Sequence, residues 1–422
     1  MTAPRRPWGL GEPPLRPAPE WELRPETQAV RGGQVRSGFS ETSEALYLTS
    51  GFVYDNAATA VDAFTDQVDH FVYSRFGNPT VSMFEERLRL LEGAEACLAT
   101  ATGMAAVFAA LASQLTAGDR VVASRALFGS CYVIVAELLP RWGIESVFVD
   151  GSDNDAWRAA LAQPTSVVFL ETPSNPMQEI VDLAFVSQLA HAAGALVVVD
   201  NVFATPLGQR PLDLGADVVV YSATKHIDGQ GRVLGGAVLC SQQFREEKLI
   251  PFTRHTGPAM SPFNAWVLLK GLETLPVRLG QQVASAERIA AYLEQHDAVR
   301  LVRYPTAASH PQAELARRQM ANGGTIVTFE VRGATSEDQQ RAAFALVDAL
   351  RLIDISNNLG DAKSLITHPA TTTHRRIPST DRESMGITEG VLRLSVGLEH
   401  VDDVLADLAA GLAASEIGKF DD

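Results

Sequence analysis

Between residues 94 and 222, short runs of apolar residues alternate with stretches of helical or turn character. The clearest runs, rich in valine and other strand-forming residues, lie at 120–124, 145–149, 166–170, 195–200 and 217–222. Continuous apolar strands separated by helices are typical of a mostly parallel sheet that is covered on both faces. This pattern therefore predicts an α/β fold whose ligands bind beyond the carboxyl ends of the strands.

The pattern of helical and strand-like stretches changes after residue 264. Longer helical stretches, strand-like runs and a last helix follow, at 264–294, 324–331, 351–355, 390–396 and 402–414. We predict an extended N-terminal arm (1–60), a large domain (61–264) and a smaller α+β C-terminal domain (265–422). The arm is rich in proline and weakly periodic. A plain tail and a segment that wraps a partner subunit explain it equally well.

Composition excludes several classes of protein. A net charge of −15 over 422 residues repels phosphate backbones, so we expect no nucleic-acid partner. Arg5 and Arg6 are followed by proline and charge rather than an apolar stretch, so we expect neither a secretory signal nor a membrane span. Three scattered cysteines, Cys97, Cys131 and Cys240, and the histidines show no metal-ligand spacing. We therefore expect a cytoplasmic protein without a metal site.

Lys225 follows a predicted buried strand directly. The run from Ala216 to His226 enters a polar turn, and Ser222 and Thr224 add hydroxyl groups suited to phosphate oxygens. A partly desolvated lysine amine at the ligand edge of a sheet can lose its proton and form a Schiff base. Taken alone, a solvated lysine at a strand end is the commoner explanation.

Two further features occur at predicted strand ends. Asp200 ends the run 195–200 and could pair with a protonated ring nitrogen, although such acids are often only turn or cap residues. Ala101-Thr-Gly103-Met104 opens a helix after an apolar run, where a glycine and free N–H groups favour an anion, although a plain turn is equally compatible. A phosphate cup, a ring-nitrogen acid and a Schiff-base lysine together indicate pyridoxal 5'-phosphate.

A glycine-rich stretch near Lys225 could suggest a different cofactor. Gly229, Gly231, Gly235 and Gly236 lack the spacing of a dinucleotide-binding loop, and apolar residues follow them where a helix should begin. We therefore expect no nicotinamide site.

The motifs around these residues resemble those of the pyridoxal-phosphate enzymes of cysteine and methionine metabolism. The resemblance runs from about residue 45 to the C-terminus, and its motifs lie at 73–80, 171–176, 199–201 and 221–226. It implies an aspartate-aminotransferase-like (fold type I) architecture with a seven-stranded sheet. The segments 355–365 and 367–374 are most similar to members that transfer sulfide to O-succinylhomoserine. Lys363 stands where cystathionine synthases and lyases tend to have an acid.

The resemblance also implies roles for individual residues. Lys225 would carry the cofactor and move protons, Asp200 would pair with the ring nitrogen, and Arg393 would clamp the substrate carboxylate through its guanidinium fork. The remaining assignments are phosphate contacts by Gly103, Met104, Ser222 and Thr224, further substrate contacts by Asn175 and Asn358, and contacts of Tyr73 and Arg75 with the phosphate of a neighbouring subunit. The active unit would then be a dimer or a tetramer with shared sites.

Two residues depart from the family pattern. Relatives usually stack a tyrosine on the cofactor ring, whereas Leu127-Phe128-Gly129-Ser130 places a phenylalanine there. Phe128 can stack but has no phenol to act as acid or base, so proton transfer would depend on Lys225, Tyr73 or water. Asn358 replaces a serine that helps to hold the substrate carboxylate in many relatives, and an amide can do the same.

The expected reaction is γ-replacement on an O-acylhomoserine with sulfide, which yields homocysteine in methionine biosynthesis. Alternatives are an enzyme that uses an acetyl rather than a succinyl ester, a synthase that uses cysteine and makes cystathionine, a γ-lyase, and a catalytically silent binding protein. The sequence leaves open the acyl group and the size of the oligomer.

Overall fold

The computed structural model describes residues 22–417, which contain two β-sheets. The seven strands of the large sheet are β1 (Ala96–Thr100), β2 (Arg120–Ser124), β3 (Glu145–Val149), β4 (Val167–Glu171), β5 (Leu196–Asp200), β6 (Val218–Ser222) and β7 (Gly236–Cys240). Their order is β1-β7-β6-β5-β4-β2-β3. Only β7 runs against its neighbours. The predicted mostly parallel seven-stranded sheet is confirmed.

The second sheet follows in the chain. Its strands are β8 (Val299–Arg303), β9 (Ile326–Val331), β10 (Asp354–Ile355), β11 (Leu365–Thr367) and β12 (Val391–Ser395), in the order β10-β11-β12-β9-β8. It is mostly antiparallel, as the β9–β12 pair shows. A smaller sheet near the C-terminus is thus confirmed, whereas the exact division at residues 60 and 264 stays a prediction.

Sixteen α-helices connect and cover the sheets within residues 22–417. They are α1 (Pro25–Arg31), α2 (Ala57–Phe64), α3 (Pro79–Glu92), α4 (Gly103–Ala112), α5 (Gly129–Val133), α6 (Asn154–Ala160), α7 (Leu183–Ala192), α8 (Thr205–Gly208), α9 (Gln242–Phe244), α10 (Ile250–Thr256), α11 (Pro262–Glu273), α12 (Leu275–Glu294), α13 (Ala313–Gln319), α14 (Ser336–Ala349), α15 (Ser379–Ser384) and α16 (Val401–Ile417). Among these helices, none is long and apolar enough to cross a membrane.

The central strands are apolar on both faces because both faces are covered. In β4, Val167 and Phe169 join one hydrophobic cluster, and Val168 and Leu170 join the cluster on the opposite face. Alternate residues of a strand point to opposite faces, so a strand buried on both sides needs a continuous apolar run. This is the physical basis of the pattern seen in the sequence.

Three segments differ from the predicted secondary structure. The sequence of 131–141 predicts one regular helix, but the segment begins with the end of α5 and continues as a π-helix (Ile134–Leu138) and a 3₁₀-helix (Leu139–Trp142). Pro140 cannot donate a helical hydrogen bond there. Of residues 351–355, only the last two form a strand, because the carboxylate of Asp407 accepts the N–H groups of residues 351, 352 and 353 at 2.8, 2.9 and 2.9 Å. Within the predicted arm, residues 1–21 lie outside the described part of the chain, and α1 is helical rather than extended.

Candidate active site

The carboxyl edge of the large sheet gathers polar residues from neighbouring strands. Glu171 at the end of β4 is the register partner of Asp200 at the end of β5. Ser222 ends β6 and is paired with Gly236, which is paired in turn with Thr100 at the end of β1. The predicted ring-nitrogen acid and phosphate-contacting serine therefore lie along one edge, where parallel sheets bind ligands.

A cradle for an anion is formed where α4 begins. Thr102 caps the helix by accepting the N–H of Ala105 at 3.1 Å, and this leaves other N–H groups of the first turn free. A Cβ added to Gly103 would lie 2.6 Å from Ser222 Cβ, so only glycine allows the helix start to approach β6 this closely. This arrangement suits a phosphate group.

The other two residues predicted beside the phosphate are placed differently. The Thr224 hydroxyl accepts the N–H of Gly235 at 3.1 Å, which orients it near the same turn. Met104 lies in the first turn of α4, but its sulfur packs 4.0 Å from the sulfur of Cys131, so only its backbone is free to face an anion.

Asp200 is nearly buried and only partly satisfied. One carboxylate oxygen accepts the N–H of Val202 at 3.1 Å, and the described residues offer the other oxygen no hydrogen bond. Burial raises the pKa of Asp200 to about 6, and the Val202 bond opposes that shift. A buried carboxylate with a free oxygen is suited to pair with a cationic N–H group, such as a protonated pyridine nitrogen.

Asn201 adds a buried network that sequence reasoning missed. Its Nδ2 donates to the Tyr221 hydroxyl at 2.6 Å, and that hydroxyl donates to Glu92 at 2.6 Å. Gln209 closes the network by donating to Asn201 Oδ1 at 2.9 Å. These contacts fix the backbone next to Asp200. No local sequence signal could have shown them, because the partners come from α3, from β6 and from the residue that follows α8.

Lys225 lies in the turn after β6, close to the small-sheet part of the chain. Its Nζ donates to Asn358 Oδ1 at 2.5 Å. Burial lowers the pKa of Lys225 to about 8, and the positive charge of Arg393 acts in the same direction. An appreciable fraction of the amine is therefore neutral near physiological pH, as a nucleophile or base requires.

Arg393, in the middle of β12, is buried opposite this lysine. Its guanidinium donates to Asn175 Oδ1 at 2.9 Å and to the carbonyl oxygens of Asn357 and Asn358 at 2.9 and 3.2 Å. Its Nε has no partner among the described residues. The structure thus brings Lys225, Asn358, Arg393 and Asn175 together, with an unused donor that suits a substrate carboxylate.

Phe128 is held by a residue that the sequence analysis did not single out. Its N–H donates to Glu171 Oε2 at 2.8 Å, and the other oxygen of Glu171 accepts the N–H of Asn175 at 3.0 Å. Glu171 was visible only as the first letter of a motif. Its function as an acceptor depends on two loops that are distant in sequence.

Tyr73 and Arg75 are not joined to these residues within one chain. Tyr73 is 44% exposed, and the Arg75 guanidinium lies 4.6 Å from the centroid of the Phe76 ring and donates to the Arg254 carbonyl. No hydrogen bond within residues 22–417 connects either residue to Lys225, Asp200 or Arg393. Their predicted contact with a neighbouring subunit stays a prediction.

Two other residues of the sequence motifs, His226 and Lys363, have side-chain partners of their own. His226 is buried and contacts Thr325 Oγ1 at 2.7 Å through Nε2. The Lys363 side chain is 63% exposed and lies 3.5 Å from Asp361. Neither contact involves the cluster around Lys225.

The residues fit pyridoxal 5'-phosphate on their own chemistry. The helix start at Gly103 suits its phosphate, the free oxygen of Asp200 suits its ring nitrogen, and the Lys225 amine suits its aldehyde. All three groups lie at one edge of one sheet, in the order that the cofactor needs.

Comparison with known proteins agrees with this fit. A sequence profile for "Cys/Met metabolism PLP-dependent enzyme" matches residues 26–413. The chain is 62% identical to an O-succinylhomoserine sulfhydrylase from Mycobacterium tuberculosis (strain ATCC 25618 / H37Rv) over 387 residues, which cover 92% of this chain and 95% of the relative.

Solved structures show the same fold. A cystathionine gamma synthase from Xanthomonas oryzae pv. oryzae, in complex with aminoacrylate and cysteine, has a TM-score of 0.88 and 36% identity, over 94% of this chain and 100% of that one. An O-acetylhomoserine (thiol)-lyase, described as putative, from Campylobacter jejuni carries N'-pyridoxyl-lysine-5'-monophosphate and has a TM-score of 0.86 and 31% identity, over 93% and 100% of the two chains. The predicted aspartate-aminotransferase-like fold is confirmed.

Proposed function

The chain belongs to the Cys/Met metabolism family of PLP-dependent enzymes, and we propose on this basis that it is an O-succinylhomoserine sulfhydrylase. The observation that carries the proposal is the 62% identity to an enzyme of that name over nearly the whole of both chains. In the reaction, the bond between Cγ and the succinyl oxygen breaks and a bond between Cγ and sulfur forms. Hydrosulfide enters and succinate leaves, so the exchange needs no oxidant or reductant.

Pyridoxal 5'-phosphate, when bound, supplies an electron sink that makes the Cα proton of the substrate acidic. The chain then has to move protons at Cα and Cβ. Lys225 is the residue suited to this task, because burial keeps its pKa near 8 and Asn358 orients its amine. Phe128 provides an apolar face but no proton.

The other site residues bind and orient. Arg393 and Asn175 would hold the substrate carboxylate, with Asn358 contacting both that clamp and the lysine. Asp200 would keep a proton at the ring nitrogen, since its pKa of about 6 leaves it mostly ionised at neutral pH. Gly103, Met104, Ser222 and Thr224 would surround the phosphate.

We also propose that the active unit contains at least two chains. The segment 46–76 exposes several large apolar side chains, among them Val53 at 90%, Leu48 at 69%, Phe64 at 66% and Val61 at 60%. A segment that exposes this many large apolar side chains is typical of a protein interface. Association through it would bring Tyr73 and Arg75 to a neighbouring site, as the family pattern predicts.

A reducing compartment such as the cytoplasm fits the three cysteines, all of which are free thiols and buried.

Product analysis tests the proposed reaction. The purified protein with its cofactor is incubated with O-succinylhomoserine, O-acetylhomoserine or cystathionine, each with sulfide or with cysteine, and products are identified by mass spectrometry. We expect homocysteine and succinate from O-succinylhomoserine and sulfide. Formation of cystathionine without homocysteine would contradict the proposal and assign the chain to the synthases.

A further inference from the structure

Glu171 connects two loops that meet at the candidate active site. It ends β4, is 4% exposed, and lies beside Asp200 in the sheet. Its two carboxylate oxygens accept separate backbone N–H groups, from Phe128 at 2.8 Å and from Asn175 at 3.0 Å. Phe128 follows β2 and Asn175 follows β4, so one side chain fixes the separation of two loops.

Each of these loops presents a group to the proposed ligands. Phe128 presents the apolar ring proposed to stack on the cofactor. Asn175 presents Oδ1, which accepts from Arg393 at 2.9 Å. Both oxygens of Glu171 accept backbone N–H groups, so Glu171 would act through Phe128 and Asn175 and not by touching a ligand itself.

Arg393, the clamp residue, is a buried guanidinium. Arg393 is 2% exposed, and the atoms that accept its hydrogen bonds belong to neutral groups, namely one amide side chain and two backbone carbonyls. Burial lowers the pKa of Arg393 to about 10, and the nearby Glu171 carboxylate opposes that shift. Burial and the neighbouring Asp200 raise the pKa of Glu171 well above its usual range. Its connection to the clamp therefore depends on its two backbone hydrogen bonds and not on its charge.

We propose that Glu171 is a positioning residue that sets the distance between the Phe128 ring and the Arg393 clamp. A substrate carboxylate is thereby held at a fixed position relative to the cofactor ring. The proposal rests on the proposed function only in so far as the chain binds an amino acid on pyridoxal 5'-phosphate. It does not depend on which acyl group or thiol the enzyme uses.

Glu171→Gln is the direct test. An amide has one acceptor oxygen, so the substitution leaves one of the two N–H groups facing an NH₂ group instead of an acceptor. We expect the holoenzyme to bind glycine at least about tenfold more weakly, because a buried backbone N–H group behind the clamp is left without an acceptor. We also expect a changed visible circular dichroism band of the cofactor. Glycine has no γ-leaving group, so its binding can be titrated by cofactor absorbance without turnover.

Glu330→Gln is the matched control. Glu330 is fully buried in β9 and accepts hydrogen bonds from Arg300 at 2.5 Å, Thr388 at 2.7 Å and Gln339 at 3.2 Å, and none of these partners is a site residue. We expect this variant to lose stability while its glycine affinity and its dichroism band stay at wild-type values. If both variants change the two signals equally, Glu171 is only a structural residue and the proposal fails.

A double-mutant cycle tests the route through Asn175. If Glu171 acts through that residue, the losses in glycine affinity for Glu171→Gln and Asn175→Ala will be smaller in combination than their sum. Additive losses would contradict the proposal. Should Glu171→Gln not fold, Glu171→Asp replaces it in the same measurements, since its shorter carboxylate reaches only one of the two loops. Wild-type glycine affinity and dichroism in Glu171→Asp would equally overturn the proposal.

The outcome is separable from that of the proposed function. A chain that makes cystathionine instead of homocysteine would still show the Glu171 effect on glycine binding. A chain that makes homocysteine but binds glycine equally well in Glu171→Gln would refute the positioning role alone.

Discussion

At the level of single residues, the candidate site is a set of groups whose properties are changed by burial. Lys225 and Asp200 have their pKa values shifted in opposite directions, down to about 8 and up to about 6, and in both cases loss of water is the leading cause. The shifts bring the pKa values of an amine and of a carboxylic acid closer to neutral pH than they would be in water. Such convergence is common where protons are moved.

Replacing Lys225 tests its assignment. Borohydride reduction of the holoenzyme followed by peptide mass spectrometry should find a pyridoxyl group on Lys225. The Lys225→Ala enzyme should give no such peptide and should lose at least about a hundredfold in turnover, because a general acid–base group contributes about 10²–10⁴-fold. Lys248→Ala, at an exposed position in the helical segment that follows α9, should keep both the label and the activity. Full turnover in Lys225→Ala would overturn the assignment.

These residues could be predicted from the sequence to different degrees. Lys225 and Asp200 follow apolar runs, so their placement at a strand end depends only on local pattern. Arg393 and Asn175 are 218 residues apart in the chain, and no local sequence pattern predicts their contact. The resemblance to a family supplied the arginine, and only the coordinates supplied the asparagine–glutamate connection behind it.

At the level of elements, the strands of the parallel sheet were predictable and several other elements were not. The predicted run 120–124 coincides with β2, whereas β7, β8 and β11 were not predicted at all. β7 pairs antiparallel with both β1 and β6, and β11 is three residues long, so each depends on distant partners more than on its own composition. Tertiary pairing, and not propensity, decides such strands.

The start of α4 makes a prediction at this scale. Gly103→Ala introduces a methyl group 2.6 Å from Ser222 Cβ and should move the helix start away from β6. We expect pyridoxal 5'-phosphate to bind the apoenzyme at least about tenfold more weakly, since the N–H groups of a helix start must be placed accurately to hold an anion. Fluorescence titration of the apoenzyme with the cofactor measures this change.

Gly280→Ala is the control for that substitution. Gly280 lies in the interior of α12, and an added Cβ would meet nothing within 4 Å. Alanine there should leave cofactor affinity unchanged and should stabilise the helix by up to about 1 kcal/mol. Equal cofactor affinity in Gly103→Ala and the wild type would show that the close approach to β6 does not matter for binding.

At the level of the whole molecule, three buried histidines join the part of the chain that forms the large sheet to the part that forms the small one. His226 contacts Thr325 Oγ1 at 2.7 Å, His374 contacts the Asn175 carbonyl at 3.1 Å, and His310 contacts the Gln178 carbonyl at 3.0 Å. The site lies along the same boundary, since Lys225 and Arg393 come from opposite sides of it. Its geometry therefore depends on how the two parts pack.

Acid should loosen this packing. Burial lowers the pKa of His226 to about 3 and the pKa of His310 and His374 to about 4, from an ordinary 6.5. Below pH 6.5 the unfolded chain binds protons that the folded chain does not, so stability falls as the pH falls towards 4. His226 alone should contribute a loss of about 2 kcal/mol at pH 5, since each pH unit below the unfolded pKa is worth about 1.4 kcal/mol.

Urea denaturation at pH 7, 6 and 5, at fixed protein and cofactor concentrations, measures this loss. His226→Gln keeps a polar group that can reach Thr325 but cannot titrate, so its unfolding free energy should fall less between pH 7 and pH 5 than that of the wild type. The His400 side chain is 70% exposed, so the unfolding free energy of His400→Gln should fall as much between pH 7 and pH 5 as that of the wild type. An identical pH dependence in all three proteins would show that the carboxylates, and not the histidines at this boundary, set the acid stability of the molecule.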